Sequence, residues 1–123
     1  MKLALGTVQF GSPYGIANQI GQVSRESAKA IIALARSSGI DTIDTAIGYG
    51  ESEDSLGNVG LDGFKVTTKL PVMPENVANV GFWVRDQMQA SLQRLNVKTV
   101  YGLLLHSSQQ LLGPKGEDLY KAL

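Results

Sequence analysis

The chain has 123 residues, 43% of them hydrophobic, and its eleven basic and eleven acidic side chains cancel. This is one domain's worth of sequence with enough apolar content to bury a core, and its balanced charge disfavours a nucleic acid or an anionic membrane surface as partner. No apolar run approaches the roughly 20 residues of a membrane helix, and the lack of cysteine removes disulfides, thiolate nucleophiles and cysteine-ligated metals together. The start "MKLALGTVQFG" has neither the long apolar region nor the small-residue cleavage site of a signal peptide. A soluble, cytoplasmic protein is the expectation.

In chain order, Lys2 to Val8 reads as a short buried strand that runs into a glycine-rich loop, "QFGSPYGIANQIGQ". Ser24 is an N-cap, Glu26 lies in the first turn, and Ala28, Ile31, Ile32 and Ala35 recur at helical spacing until Gly39 stops the helix. Ile40 to Ala46 is the second strand. Glu51 to Leu56 is a short helix ended by "GNVGLDG", and Phe64 to Leu70 is the third strand, closed by Pro71 and Pro74. Val84, Met88, Leu92 and Leu95 draw one apolar stripe on a helix from about Val80 to Leu95. Thr99 to His106 is the fourth strand, and "GEDLYKAL" begins another helix.

Strands alternating with helices imply a parallel sheet with helical crossovers. Two architectures suit that pattern: a doubly wound open sheet, which fits the length, and a (β/α)8 barrel, which needs roughly 250 residues. The polar residues favour the barrel. Side chains alternate faces along a strand, so Asp44 shares a face with Thr42, Lys69 with Thr67, and His106 with Leu104. Each of the three is the last ionisable residue of its strand before the loop. In a parallel sheet all such ends lie on one edge, where active sites sit, and Tyr49 follows Asp44 in the loop above that edge.

Those residue types suggest a chemistry. Asp44 and Lys69 form a sensible ion pair at the mouth. Tyrosine ordinarily holds its proton to about pH 10, and a cation within hydrogen-bond reach favours the phenolate and makes a phenol a better acid. His106 supplies a donor that grips a carbonyl oxygen. The set contains no nucleophile and no workable group of metal ligands, so a hydride from a cofactor is the natural complement.

The stretches "DTAIGYGESE", "TTKL", "SLQRL" and "YGLLLH", with the opening "LALGTVQFG", resemble the aldo-keto reductase family over essentially the whole chain. The resemblance implies a (β/α)8 barrel of which residues 1–123 are the N-terminal half, with only the first four βα units present. It implies a catalytic tetrad of Asp44, Tyr49, Lys69 and His106: Tyr49 the general acid, Lys69 its charge-stabilising cation, Asp44 the partner of that lysine, His106 the substrate-orienting donor. It further implies reduction of aldehydes and ketones with NADPH, less often NADH, and no metal. Gly6 and Thr7 are then expected, with Asp44, on the nicotinamide side of the cofactor, and Gln9 and Phe10, with His106, at the substrate. Glu53 is either a support for the Tyr49 loop or a surface acid. Trp83 and the remaining tyrosines are expected in packing or loops.

Two features depart from the family. Where it often has an aromatic or basic residue and then proline after the histidine, this chain reads "SSQQLL". Its later strands, which carry most contacts to the cofactor pyrophosphate and adenosine, have no counterpart in four βα units. Exposed sheet edges invite pairing with another chain, which leaves three readings open: a fragment of a longer protein, a half-barrel that self-associates into a full ring, or an inactive remnant. The enzymatic expectation attaches to the family rather than to 123 residues alone. The alternative is a non-catalytic binding or regulatory half-barrel, or an inactive fragment. A phosphorylation-switched receiver is set aside, because the first strand ends in "GTVQF" and the third in Lys69 where that class needs acids.

Overall fold

The computed structural model describes residues 3–123. The strands β1 (Leu5–Gly6), β2 (Thr42–Asp44), β3 (Lys65–Leu70) and β4 (Gly102–Leu105) form one parallel sheet in the order β1-β2-β3-β4. A doubly wound sheet reverses its direction of growth at a switch point. This sheet does not reverse, and so has the winding of a barrel segment.

All four strands are shorter than the sequence suggests, and the Lys2 end of the first lies outside the described residues. Each is pared down to the stretch that finds a register partner on its neighbour, as in Thr42↔Lys65 and Asp44↔Thr67. Val8, expected in the first strand, instead opens a one-turn helix α1 (Val8–Gly11).

The other helices are α2 (Arg25–Ser37), α3 (Ser52–Val59), α4 (Val80–Leu95) and α5 (Gly116–Ala122), with a 3₁₀ turn over Ser108–Leu112. The Ser24 hydroxyl caps α2 by accepting from the Ser27 N–H at 3.2 Å, and Asn79 caps α4 by accepting from Phe82 at 2.9 Å. Asn96 ends α4 in the left-handed region at φ 53°, a conformation asparagine tolerates better than most residues. The buried stripe of α4 is Val80, Val84, Ser91 and Leu95. Met88 and Leu92 fall to its flanks, displaced by a serine that hydrophobic spacing cannot flag.

One sheet face, carrying Ile43, Val66, Thr68 and Leu70, is buried. Ile43 and Val66 join Phe10, Ala28, Ile32, Leu56, Leu61 and Leu95 in one core cluster, and Leu70 joins Val80, Val84 and Leu119 in a second, against which Trp83 rests partly buried. The opposite face, carrying Asp44, Thr67, Lys69 and Leu104, is not covered by these helices, and Leu104 is 48% exposed. Among the described residues β1 pairs only with β2 and β4 only with β3, so each presents an open edge. Among the described residues no helix is long and apolar enough to cross a membrane.

Candidate active site

Asp44 is the last residue of β2, Lys69 the penultimate residue of β3, and His106 follows the last residue of β4. Alternation puts Lys69 on the open face while its neighbour Thr68 points beneath the helices. The register Gly6↔Asp44↔Thr67↔Gly102 lines up one row across that face. Its two ends are glycines, so the sheet floor beside Asp44 is low.

The Lys69 ammonium lies 2.8 and 2.7 Å from the two oxygens of Asp44, 3.0 Å from the Thr45 carbonyl and 3.4 Å from the Tyr49 hydroxyl. Its side chain is 17% exposed against 39% for Asp44, so the pair is partly desolvated and screened less than a surface pair. Lysine has three protons and no acceptor. It can only donate to Tyr49, whose phenol oxygen receives the longest of these contacts and keeps its own proton for another acceptor. The ammonium also stands 5.0 Å from the centre of the Tyr49 ring. The His106 ring meets Tyr49 edge-on, with centroids 5.7 Å apart and planes at 86°. The four side chains therefore form one continuous cluster.

Tyr49 sits in a tight turn between β2 and α3, with its N–H on the Ala46 carbonyl at 3.1 Å and its carbonyl on the Ser52 N–H at 3.1 Å. Gly50 completes the turn at φ +56°. A β-carbon on Gly50 would lie 2.3 Å from the Gly11 oxygen, and one on Gly11 only 1.7 Å from the Tyr49 carbonyl. Glycine at both positions lets α1 sit directly against the turn that carries the phenol.

The remaining candidates divide. Gly6 is exposed and in register with Asp44, at the mouth. Gln9 is exposed, but its amide donates to the Tyr14 carbonyl at 3.0 Å, tying it to the following loop. The expectation for Phe10 needs correction, since its ring is 3% exposed and belongs to the core cluster under β2. α1 turns the side chain inward, where a strand or loop would have left it free. Thr7 is fully buried, and its hydroxyl donates to the Asp44 carbonyl at 3.0 Å. That contact holds a strand end and offers a ligand no surface.

Glu53, left open between loop support and surface acid, is 1% exposed. Its Oε1 accepts from Thr68 at 2.7 Å and Ser91 at 2.6 Å, and its Oε2 from Arg94 Nε at 2.9 Å. Ser52, Ser91 and Arg94 carry no individual site signal in the sequence. The available signal was the "SLQRL" run, which places Ser91 and Arg94 three apart on one helix face. Among the described residues no group of three or more histidines, cysteines, aspartates or glutamates is arranged to hold a metal.

Comparison with known proteins bears on this arrangement. The sequence model of the aldo/keto reductase family matches residues 2–112. A Pseudomonas aeruginosa protein assigned to the aldo-keto reductases superposes with a TM-score of 0.76 at 29% identity, over 98% of this chain and 49% of its own. An aldo/keto reductase from Brucella melitensis superposes at 0.60 with 20% identity, over 97% of this chain and 41% of its own. Aldose reductase from Giardia lamblia gives 0.58 at 20% identity, over 85% and 32%. At 20% identity these last two speak for the fold alone. No curated protein matches at a comparable level. The chain thus spans about half the length of the first of these structures or less.

Proposed function

The chain belongs to the aldo/keto reductase family, whose members are oxidoreductases, and from that premise we propose that it contributes the proton-transfer half of an aldehyde or ketone reduction. The observation that carries the reading is the Lys69 ammonium held by both Asp44 oxygens and reaching the Tyr49 hydroxyl at 3.4 Å. Tyr49 gives its proton to the carbonyl oxygen as that oxygen takes on charge. The phenolate left behind faces Lys69, which stabilises it at short range in a partly desolvated mouth. Asp44 keeps the ammonium from swinging into solvent. His106, exposed beside Tyr49, directs the carbonyl oxygen toward the phenol and binds it in its polarised form.

A nicotinamide cofactor, NADPH or less often NADH, would supply the hydride to the carbonyl carbon when bound. Gly6, exposed and in register with Asp44, would together with it hold the nicotinamide end at the open face.

A second reading starts from the strand edges that β1 and β4 leave unpaired among the described residues. On that reading the protein is a binding or regulatory half-barrel that pairs through its open edges. NADPH titration followed by nicotinamide fluorescence, with turnover of a simple aromatic aldehyde, separates the two. Saturable binding with aldehyde-dependent NADPH oxidation is the expected result for the intact protein. No binding at millimolar NADPH would leave only the non-catalytic reading.

A further inference from the structure

Beneath the tetrad lies a second polar group that the proton-transfer chemistry does not itself use. Thr7, Thr45 and Ser52 are each 0% exposed, and their hydroxyls meet at one point. Ser52 Oγ lies 2.9 Å from the Thr7 carbonyl, 3.0 Å from Thr7 Oγ1 and 3.1 Å from Thr45 Oγ1. A serine hydroxyl has one proton to give. Ser52 spends it on Thr7, so Thr45 must be the donor in the remaining contact. Thr7 Oγ1 in turn donates to the Asp44 carbonyl at 3.0 Å. The result is a directed chain, Thr45 to Ser52 to Thr7 to the Asp44 backbone, with every buried hydroxyl proton placed.

Each member touches a part of the tetrad's frame. Thr45 offers its carbonyl to Lys69 at 3.0 Å, and the Ser52 N–H holds the Tyr49 carbonyl at 3.1 Å. Thr7 fixes the peptide of Asp44 both through its hydroxyl and through its N–H, at 3.1 Å. We propose that Ser52 is a positioning residue for proton transfer, because its hydroxyl locks the turn bearing Tyr49 onto the strand ends that bear Asp44 and Thr45. The proposal rests on Tyr49 being the proton donor. The contact between Tyr49 and Lys69, at 3.4 Å, already exceeds the usual N–H···O range of about 2.7–3.2 Å. A small slip of the turn therefore breaks it.

Ser52→Ala is tested in the intact protein, in the wild-type and the Tyr49→Phe backgrounds, by NADPH-dependent reduction of an aromatic aldehyde. In the first background kcat is expected to fall about 10- to 100-fold, with KM for the aldehyde and NADPH affinity unchanged. In the second, single-turnover rates are expected to show no further loss, because residues acting through one another are not additive. An equal loss in both backgrounds would make Ser52 a general support of the fold, and no loss in the first would remove it altogether. Either result overturns the proposal. Full activity of Tyr49→Phe by itself refutes the proton-donor reading, and the proposal with it, and is recognised without any Ser52 variant. If Ser52→Ala does not fold, Thr45→Val and Thr45→Ser are compared in the same two backgrounds. The valine is expected to lose rate only where Tyr49 is present and the serine to restore it, whereas equal rates for the two would overturn the proposal.

Discussion

Tyr49→Phe is expected to slow aldehyde reduction by the intact protein by about 10²- to 10⁴-fold while NADPH affinity stays within a factor of two. That range is typical for loss of a general acid and corresponds to roughly 2.7–5.5 kcal/mol of transition-state stabilisation. The substitution is clean because phenylalanine retains everything the ring does. The edge-on contact with His106 at 5.7 Å and the approach of Lys69 to the ring face at 5.0 Å do not depend on the hydroxyl. Lys69 keeps its contacts with Asp44 and the Thr45 carbonyl, so no buried charge is stranded. Only the proton is gone. A variant that turned over within twofold of wild type would exclude Tyr49 from the chemistry whatever its neighbours.

Glu53→Ala is expected to be the most destabilising single substitution on the buried side of the sheet, at about 3–5 kcal/mol, the range for removing one partner of a buried ion pair. The carboxylate joins three elements: α3, which carries it, β3 through Thr68, and α4 through Ser91 and Arg94. Arg94 Nη2 lies 2.7 Å from the same Oε2 as an ionic contact, without the angle of a hydrogen bond. Truncation would leave two hydroxyls and a guanidinium facing an empty pocket. Because the Arg94 side chain is 30% exposed, water reaches part of that charge, which favours the lower end of the range. A domain stable by about 5–15 kcal/mol would lose a large share of its margin. Glu53→Gln, which preserves volume and one acceptor, should lose less. The measurement is the urea midpoint by circular dichroism, and an unshifted midpoint for the alanine variant would show that the cluster is not stabilising.

The two predictions separate function from support across a single strand. Thr68 and Lys69 are adjacent in sequence and point to opposite faces. Glu53 holds β3 from behind through Thr68, and Lys69 works in front.

How much of this could be read beforehand follows from the range of the forces involved. The placement of Asp44 and Lys69 on one face is a matter of parity within short strands, and their arrival at one edge follows from parallel pairing. Both are set by local pattern, so the sequence carried them. The helix from Val80 to Leu95 was legible for the same reason: its period, cap and stop are all nearby in the chain. Strand lengths were not, since a residue counts as strand only where a neighbour offers it a hydrogen-bonding partner.

The serine and the glutamate behind the site were hidden more deeply. "ESED" at the start of a helix is what a solvated first turn looks like, with acids favoured by the helix dipole. What buries Ser52 and Glu53 is the docking of α3 against α1 and α4, and that approach is close. A β-carbon on Gly57 would lie 2.1 Å from the Arg94 carbonyl. Phe10 turned inward on the same account, because a single helical turn after β1 redirected it to the core. The sequence by itself determined which residues the strands would deliver to the mouth. Tertiary packing alone decided which polar groups would be sealed beneath it, because burial belongs to two surfaces and only one is written in any given segment.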